Sequence, residues 1–356
     1  MSKFIIKSPG RYIQEPGSLE SVYDLTHHLG VHQVILITES NYDRIADKLV
    51  KSYKVNPEIV FVTNDTTIVD ISKTSSMSRY DNPVIVGVGG GSVIDLAKHC
   101  AYNFNTNCVI IPTVCSSDAA CTSMIVPKAY SDRDTMMIRA SKNPDIVIVD
   151  PEVFVTAPTK YVIAGIGDAL ATYYEAVACN RSNGITMSHG STPMGFINQA
   201  RFLRDTLLED SKQALDDLRN GDVSEYVESV VCSCIYHSGL LSENCGLSIA
   251  HAFSLAVDEV YPDNGILHGY KVAYGLLVQL TLEHFLGVRD YLELFSIKNF
   301  YESVGLPTTF EEIGIDPLCL NRLHKIAESI SDNKLSKNVV GSPVDKKLIY
   351  SSLFLK

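Results

Sequence analysis

A chain of 356 residues, 46% hydrophobic and 20% charged, holds ample apolar material for a core in each of two domains and too much for disorder. Its 30 Lys and Arg against 41 Asp and Glu leave a formal net charge of -11, which excludes the basic footprint of a nucleic-acid binder. No run approaches the roughly 20 apolar residues that a bilayer span requires, so a membrane is not an expected partner either. The opening Met1–Gly10 does not read as a signal peptide, because its apolar stretch ends at Ile6 and Pro9 and Gly10 follow. The nine cysteines include no C-x-x-C pair. They read as small buried hydrophobes of a reducing compartment, and the expected location is the cytoplasm.

Along the first 150 residues, short Val/Ile runs alternate with amphipathic stretches. Val34–Thr38 precedes a helical pattern from about Asn41 to Lys51, and Ile59–Val62 precedes another from about Ile68 to Met77. Pro83–Val88 runs into a glycine cluster from which a helix starts at Ser92, and Cys108–Ile111 and Ile146–Asp150 complete the set. Strands buried on both faces and separated by helices predict a parallel sheet. Met124–Ala140 interrupts the rhythm and suits a hairpin. After Pro151 the spacing is helical almost throughout, with helices expected near 168–180, 186–209, 223–240, 245–258, 269–286, 289–304 and beyond Asp316. The expected architecture is an α/β nucleotide-binding domain over residues 1–157 and an all-helical domain over 158–356, with the ligand cleft between them at the carboxyl ends of the strands.

Three local patterns carry chemistry. Gly87-Val-Gly89-Gly90-Gly91-Ser92 ends a strand and opens a helix. There the backbone can approach a ligand closely, and a helix N-terminus offers free N–H groups and a positive dipole end, as a pyrophosphate cradle requires. A tight turn with no ligand is the alternative. Glu39, at the tip of Val34–Thr38, could accept a ribose 2′-hydroxyl and repel a 2′-phosphate, or could serve a helix start. Finally, Asp168, His251 and His268 offer one carboxylate and two imidazoles, the donor set of a catalytic zinc with an open fourth position. Each also has a structural alternative: a carboxylate at a helix start, a satisfied core histidine and a cap. Between these patterns, Thr113-Val-Cys-Ser116-Ser117-Asp118 places hydroxyls and a carboxylate at a strand end, suited to a polyol and equally ordinary as a turn.

Taken in order, Ser8-Pro-Gly-Arg11-Tyr12, Gly89–Lys98, Pro112-Thr113, Ser116-Ser-Asp118-Ala119, Lys142-Asn-Pro-Asp145, Ala164–Thr172, Ala250-His251-Ala252 and His268-Gly-Tyr-Lys271 resemble the glycerol dehydrogenase family of the polyol and iron-type alcohol dehydrogenase superfamily. The resemblance covers most of residues 8 to 280 and implies a dehydroquinate synthase-like architecture. It also implies NAD-dependent oxidation of glycerol, or a similar diol, to the ketone in a homo-oligomer, often an octamer. By the same resemblance Asp168, His251 and His268 would hold one zinc ion per subunit, and Asp118 would hold the substrate hydroxyls. Gly91, Ser92 and Thr113 would contact the NAD phosphates and nearby cofactor atoms, Gly90, Asp95 and Ser116 would also bind the cofactor, and Glu39 would lie at the adenosine ribose with Thr122, Met124 and Lys128 on the nicotinamide side. Iron-dependent relatives carry a histidine four residues after the aspartate; Thr172 stands there, which favours zinc. The chain departs from the family at Ser92, where Lys is common, at Tyr270, where Glu is common, and at Glu15 and Lys128. The rival readings are an sn-glycerol-1-phosphate dehydrogenase, against which Ser117 stands in place of a histidine, and a dehydroquinate synthase-like lyase, against which Asp168 stands in place of a glutamate.

Overall fold

The computed structural model describes residues 3–29, 33–39, 43–53, 57–63, 83–126, 137–262 and 264–354. The helix expected over 68–77 and the candidate Lys128 lie outside them. Six strands form one parallel sheet in the order β1-β8-β5-β4-β2-β3: β1 (Arg11–Gln14), β2 (Val34–Glu39), β3 (Glu58–Val62), β4 (Val84–Gly89), β5 (Cys108–Pro112) and β8 (Ile146–Val149). The Val/Ile runs of β4, β5 and β8 are buried throughout, and β2 is buried up to Thr38. This is the signature of strands covered on both faces. Residues of β2, β4 and β5 alternate between two apolar clusters, one on each side of the sheet. β1 was not legible as a strand. Its Arg-Tyr-Ile-Gln has no β-branched run, and the register with β8, Arg11 opposite Ile146 to Gln14 opposite Val149, holds it at the sheet edge. The expected hairpin is the antiparallel pair β6 (Met124–Ile125) and β7 (Ile138–Arg139).

The chain passes from β2 outward to β3 and then returns to the other side of β2 as β4. The direction of winding therefore reverses between β2 and β4, and ligands of such sheets bind beside that reversal, past the strand carboxyl ends. Glu39 ends β2 and Gly89 ends β4, with Thr38 opposite Val88, so the reversal falls between the carboxylate tip and the glycine turn. After α1 (Val22–Thr26) and α2 (Asp43–Ser52), helix α3 (Gly91–Phe104) runs back from that turn against the sheet. A Cβ on Gly87 would stand 2.5 Å from that of Ala97, so glycine is what allows so close a fit.

From Pro151 onward the described residues form no strand. α4 (Pro151–Thr156) leads into α5 (Lys160–Arg181), α6 (Met194–Asn220) and α7 (Glu225–Cys232). A π-helical turn, Ser233–His237, then joins α7 to α8 (Ser238–Cys245), and α9 (Ile249–Val260), α10 (His268–Phe285), α11 (Tyr291–Val304), α12 (Leu320–Asp332) and α13 (Lys346–Leu353) follow. α5 corrects two expectations. It begins eight residues before Asp168, which lies in mid-helix. At 22 residues it is also long and apolar enough to cross a membrane, with 89% of its most apolar window buried in the protein. α6 begins at Met194, eight residues later than expected, and a break at Gly246, with φ +92°, separates α8 from α9. All nine cysteines are free thiols, seven of them buried.

Asp150 fixes the junction where sheet gives way to helices. Its carboxylate caps α4 through Glu152 N at 3.1 Å and also accepts Gly17 N at 3.0 Å and Leu19 N at 3.3 Å, so it ties the turn after β1 to the end of β8. Asp150→Ala should lower the free energy of unfolding by about 1–2 kcal/mol, read as a lower midpoint in denaturant.

Candidate active site

The glycine turn is built to hold an anion. The cap residue of α3 is Gly90, in extended geometry, and no side chain caps the helix, leaving its first N–H groups, which no helix satisfies internally, turned outward. A Cβ on Gly91 would meet nothing closer than Ser117 Oγ at 3.8 Å, and one on Gly90 nothing closer than the Val114 side chain at 3.2 Å. The backbone is therefore bare where a phosphate would rest. Ser92 is the second residue of α3 and half-buried. Thr113, at the end of β5, donates its N–H to Gly89 O at 3.0 Å, and its buried Oγ1 has no hydrogen-bond partner. Such an atom costs free energy unless something binds it. Glu39 is half-buried at the tip of β2. The chemistry of these groups, bare N–H groups beside a lone hydroxyl and a carboxylate at the sheet reversal, fits the pyrophosphate and ribose of a dinucleotide.

Asp168, His251 and His268 converge from three helices: mid-α5, the first turn of α9 and the first residue of α10. Their ligand atoms lie within 4.8 Å of one another, and Asp168 Oδ1 stands 3.5 Å from Nε2 of each histidine. Donors sharing a tetrahedral ion at about 2.0–2.1 Å lie roughly 3.3 Å apart. Asp168 is buried, and its Oδ1 makes no hydrogen bond. Burial alone would raise its carboxyl, yet the two histidines hold it well below the usual carboxylate range. His251 Nδ1 meets Glu175 Oε2 at 2.6 Å and His268 Nδ1 meets Ser254 Oγ at 3.2 Å, so both Nε2 atoms face the aspartate. A buried carboxylate oxygen and two imidazole nitrogens, that of His268 on an exposed side chain, aimed at one point form the donor set of a divalent ion, and this observation supports metal binding on its own. Thr172, one turn after Asp168, is buried and its hydroxyl pairs with Ser238 Oγ at 3.1 Å, so the fourth direction carries no protein donor on that helix.

What makes the convergence possible is glycine at the helix contacts. A Cβ on Gly269 would fall 1.9 Å from Ala164 O, and one on Gly167 would fall 2.8 Å from Ala273 Cβ and 2.9 Å from Gly269 O. α10 therefore starts in backbone contact with α5, which sets His268 beside Asp168. A Cβ on Gly165 would fall 2.1 Å from Cys115 O, so the same helix also bears on the loop after β5. That loop reaches the glycine turn at Ser117 and carries Asp118.

Asp118 Oδ2 accepts from Ser242 Oγ at 2.6 Å and from Ser238 Oγ at 3.4 Å, both on α8. Burial, followed by the charge of Asp168, pushes its carboxyl up to about 6. The segment behind it is held by buried charges. Lys98 Nζ donates to Ala119 O at 2.8 Å, Thr122 O at 3.4 Å and Met124 O, and pairs with Asp95 at 2.9 Å. Glu243, next to Ser242, accepts from the N–H and hydroxyl of Ser123 and from Asn143 Nδ2 at 2.6 Å. Thr122 and Met124 thus stand on a segment pinned from both sides, and Ser116 is half-buried in the loop before it. Asp95 faces this segment, with Oδ2 accepting Val126 N at 3.0 Å. Sequence reasoning missed Glu175, Lys98, Ser242 and Glu243. Three of them act on residues 73 to 124 positions away, and Lys98 on a loop 21 to 26 residues on, so no local spacing reveals them.

The chain is similar to known proteins of one family over nearly its whole length. Residues 9–151 match the model of the iron-containing alcohol dehydrogenase family. The glycerol dehydrogenase of Thermotoga maritima is 31% identical over 349 residues, 97% of this chain and 94% of that protein. The crystal structure of glycerol dehydrogenase from Schizosaccharomyces pombe superposes with a TM-score of 0.90 at 29% identity, covering 99% of this chain and 90% of that one. That of a probable glycerol dehydrogenase from Sinorhizobium meliloti superposes at 0.87 with 26% identity, covering 99% and 97%.

The helix contact supplies a direct test. Gly269→Ala should push the start of α10 away from α5 and weaken divalent-metal binding about tenfold or more, measured by competition with a chelating dye. Gly195→Ala on α6, where a Cβ would meet nothing within 4 Å, should leave that affinity unchanged.

Proposed function

Because the chain belongs to the glycerol dehydrogenase family of iron-containing alcohol dehydrogenases, we propose that it oxidises glycerol, or a closely similar vicinal diol, to the ketone with NAD as the electron acceptor. The observation that carries this reading is the meeting of Asp168 Oδ1, buried without a hydrogen bond, with two imidazole Nε2 atoms at 3.5 Å, reached from the glycine turn by one loop. In this reading residues 1–157 form the cofactor half and residues 158–356 the metal half.

Asp168, His251 and His268 would hold the ion, and three protein donors without a fourth at Thr172 favour zinc over iron. When bound, zinc supplies Lewis acidity that brings the pKa of an alcohol toward neutrality. NAD, when bound, supplies the redox chemistry. The remaining tasks belong to the protein. Gly90, Gly91 and Ser92 bind the phosphates through backbone N–H groups, and Thr113 offers the hydroxyl that lacks a partner. Glu39 accepts the ribose 2′-hydroxyl and disfavours the extra phosphate of NADP. Lys98 and Glu243 keep the segment bearing Thr122 and Met124 in place, and Asp95 does so through Lys98 and Val126. Asp118, gripped by Ser242, accepts hydrogen bonds from the polyol and fixes which carbon is presented, as proximity catalysis requires. The same reading carries a homo-oligomer, an octamer in the family, and a cytoplasmic location.

Asp168→Asn and His251→Ala should each abolish bound metal and nearly all NADH production while leaving NAD affinity within about threefold. Elemental analysis, absorbance assay and cofactor titration measure the three quantities. Full activity in protein stripped of metal would overturn the assignment. In a screen of glycerol, 1,2-propanediol, 2,3-butanediol and glycerol 1-phosphate, reaction on glycerol or one of the two diols is the expected outcome, and reaction on the phosphate alone would replace it with the glycerol-1-phosphate reading.

A further inference from the structure

The geometry points to Glu175 as a positioning residue that dictates which nitrogen of His251 is offered to the ion, an inference that rests on the metal-binding reading above. Glu175 lies seven residues after Asp168 on α5, hence on the same helix face, and is fully buried. Its two oxygens do different work. Oε1 accepts the N–H groups of Ser248 at 2.8 Å and His251 at 3.0 Å, capping the start of α9 where a carboxylate also meets the positive end of the helix dipole. Ser248, the residue placed to cap, makes no such bond, and its buried Oγ has no partner. Oε2 faces His251 Nδ1 at 2.6 Å.

An ionised carboxylate can only accept, so Nδ1 must carry a proton. In a neutral ring the lone pair is then on Nε2, the atom 3.5 Å from Asp168 Oδ1. One side chain thus starts the helix that bears His251 and turns the correct nitrogen toward the ion. Glu175→Gln separates the two tasks. If the amide oxygen keeps the two backbone N–H groups, the amide NH₂ takes the place of Oε2 and confronts Nδ1 as a donor. The ring can then accept that bond only by moving its proton to Nε2, where the ion belongs. If the amide flips instead, the helix loses its cap.

The experiment measures zinc affinity of the purified full chain by competition with a chelating dye, melting of the metal-free protein, and ¹⁵N-histidine spectra of the zinc-loaded protein. In wild type, the ligand histidines should keep their ring proton at Nδ1. Glu175→Gln should weaken zinc binding about 10–100-fold while the metal-free melting transition remains cooperative and near that of wild type. Unchanged zinc affinity in Glu175→Gln overturns the inference, as does a fall in affinity that only tracks loss of the melting transition. Ligation through Nδ1 with a proton on Nε2 in wild type overturns it whether or not the variant folds. Wild type that takes up no zinc would instead defeat the metal-binding reading itself.

Discussion

The site depends on how closely α5 can lie to its neighbours. At Gly165, Gly167 and Gly269 the backbone of one segment occupies space that any side chain would need, with Ala164 O only 1.9 Å from a Cβ on Gly269 and Cys115 O only 2.1 Å from one on Gly165. Glycine inside a helix costs roughly 0.5–1 kcal/mol relative to alanine, so a helix carrying two within its first turns gives up local stability for contact. That contact brings Asp168 against the first residue of α10 on one side and places α5 under the loop of Ser117 and Asp118 on the other. A buried carboxylate and two imidazoles thereby meet at a helix that also touches the loop leaving the carboxyl end of β5.

Helix α8 contributes polar ties between the two halves of the chain. Three consecutive residues of this helix reach three different segments of the first half. Ser242 holds Asp118, Glu243 holds Ser123 and Asn143, and Asn244 exchanges hydrogen bonds with the backbone of Lys7 at 2.8 and 2.7 Å. Buried carboxylates cost several kcal/mol to desolvate unless hydrogen bonds satisfy them, and Glu243 is satisfied by groups from the loop after β5 and the base of the β6–β7 hairpin. Losing one partner would leave a buried charge unsatisfied in the core, so polar complementarity holds these segments together with the apolar packing of Cys115, Ala120 and Cys121 against the helices. The segment bearing Thr122 and Met124 is accordingly tied on one side by Lys98 and on the other by Glu243.

Much of this was legible in the residues. Val/Ile runs announced the central strands because those strands are covered on both faces, and the glycine cluster announced the turn at the sheet reversal. The three metal-ligand candidates were readable by residue type, though their wide spacing left structural alternatives that only convergence addresses. The rest failed for physical reasons. β1 has no strand pattern because its edge position is set by pairing with β8, not by propensity. The helix was expected only from 168 because glycine is unfavourable inside a helix, whereas Gly165 and Gly167 lie within α5 and serve helix contact. The partners of Asp95, Lys98 and Val126, were not legible either, since Val126 lies 31 residues further on. Glu175 and Glu243 left no trace, since a buried carboxylate with distant partners resembles any other charged residue in an amphipathic pattern.

The central claim is that one divalent ion, held from the helical half, faces a dinucleotide lodged at the glycine turn. A crystal structure of the protein with zinc and NAD, with anomalous scattering recorded at the zinc edge, tests it most directly. The account predicts a single strong peak among Asp168 Oδ1, His251 Nε2 and His268 Nε2, with the pyrophosphate on the backbone of Gly90 and Gly91 and the nicotinamide turned toward the peak. A peak elsewhere, no peak at all, or a dinucleotide bound away from the glycine turn would contradict it.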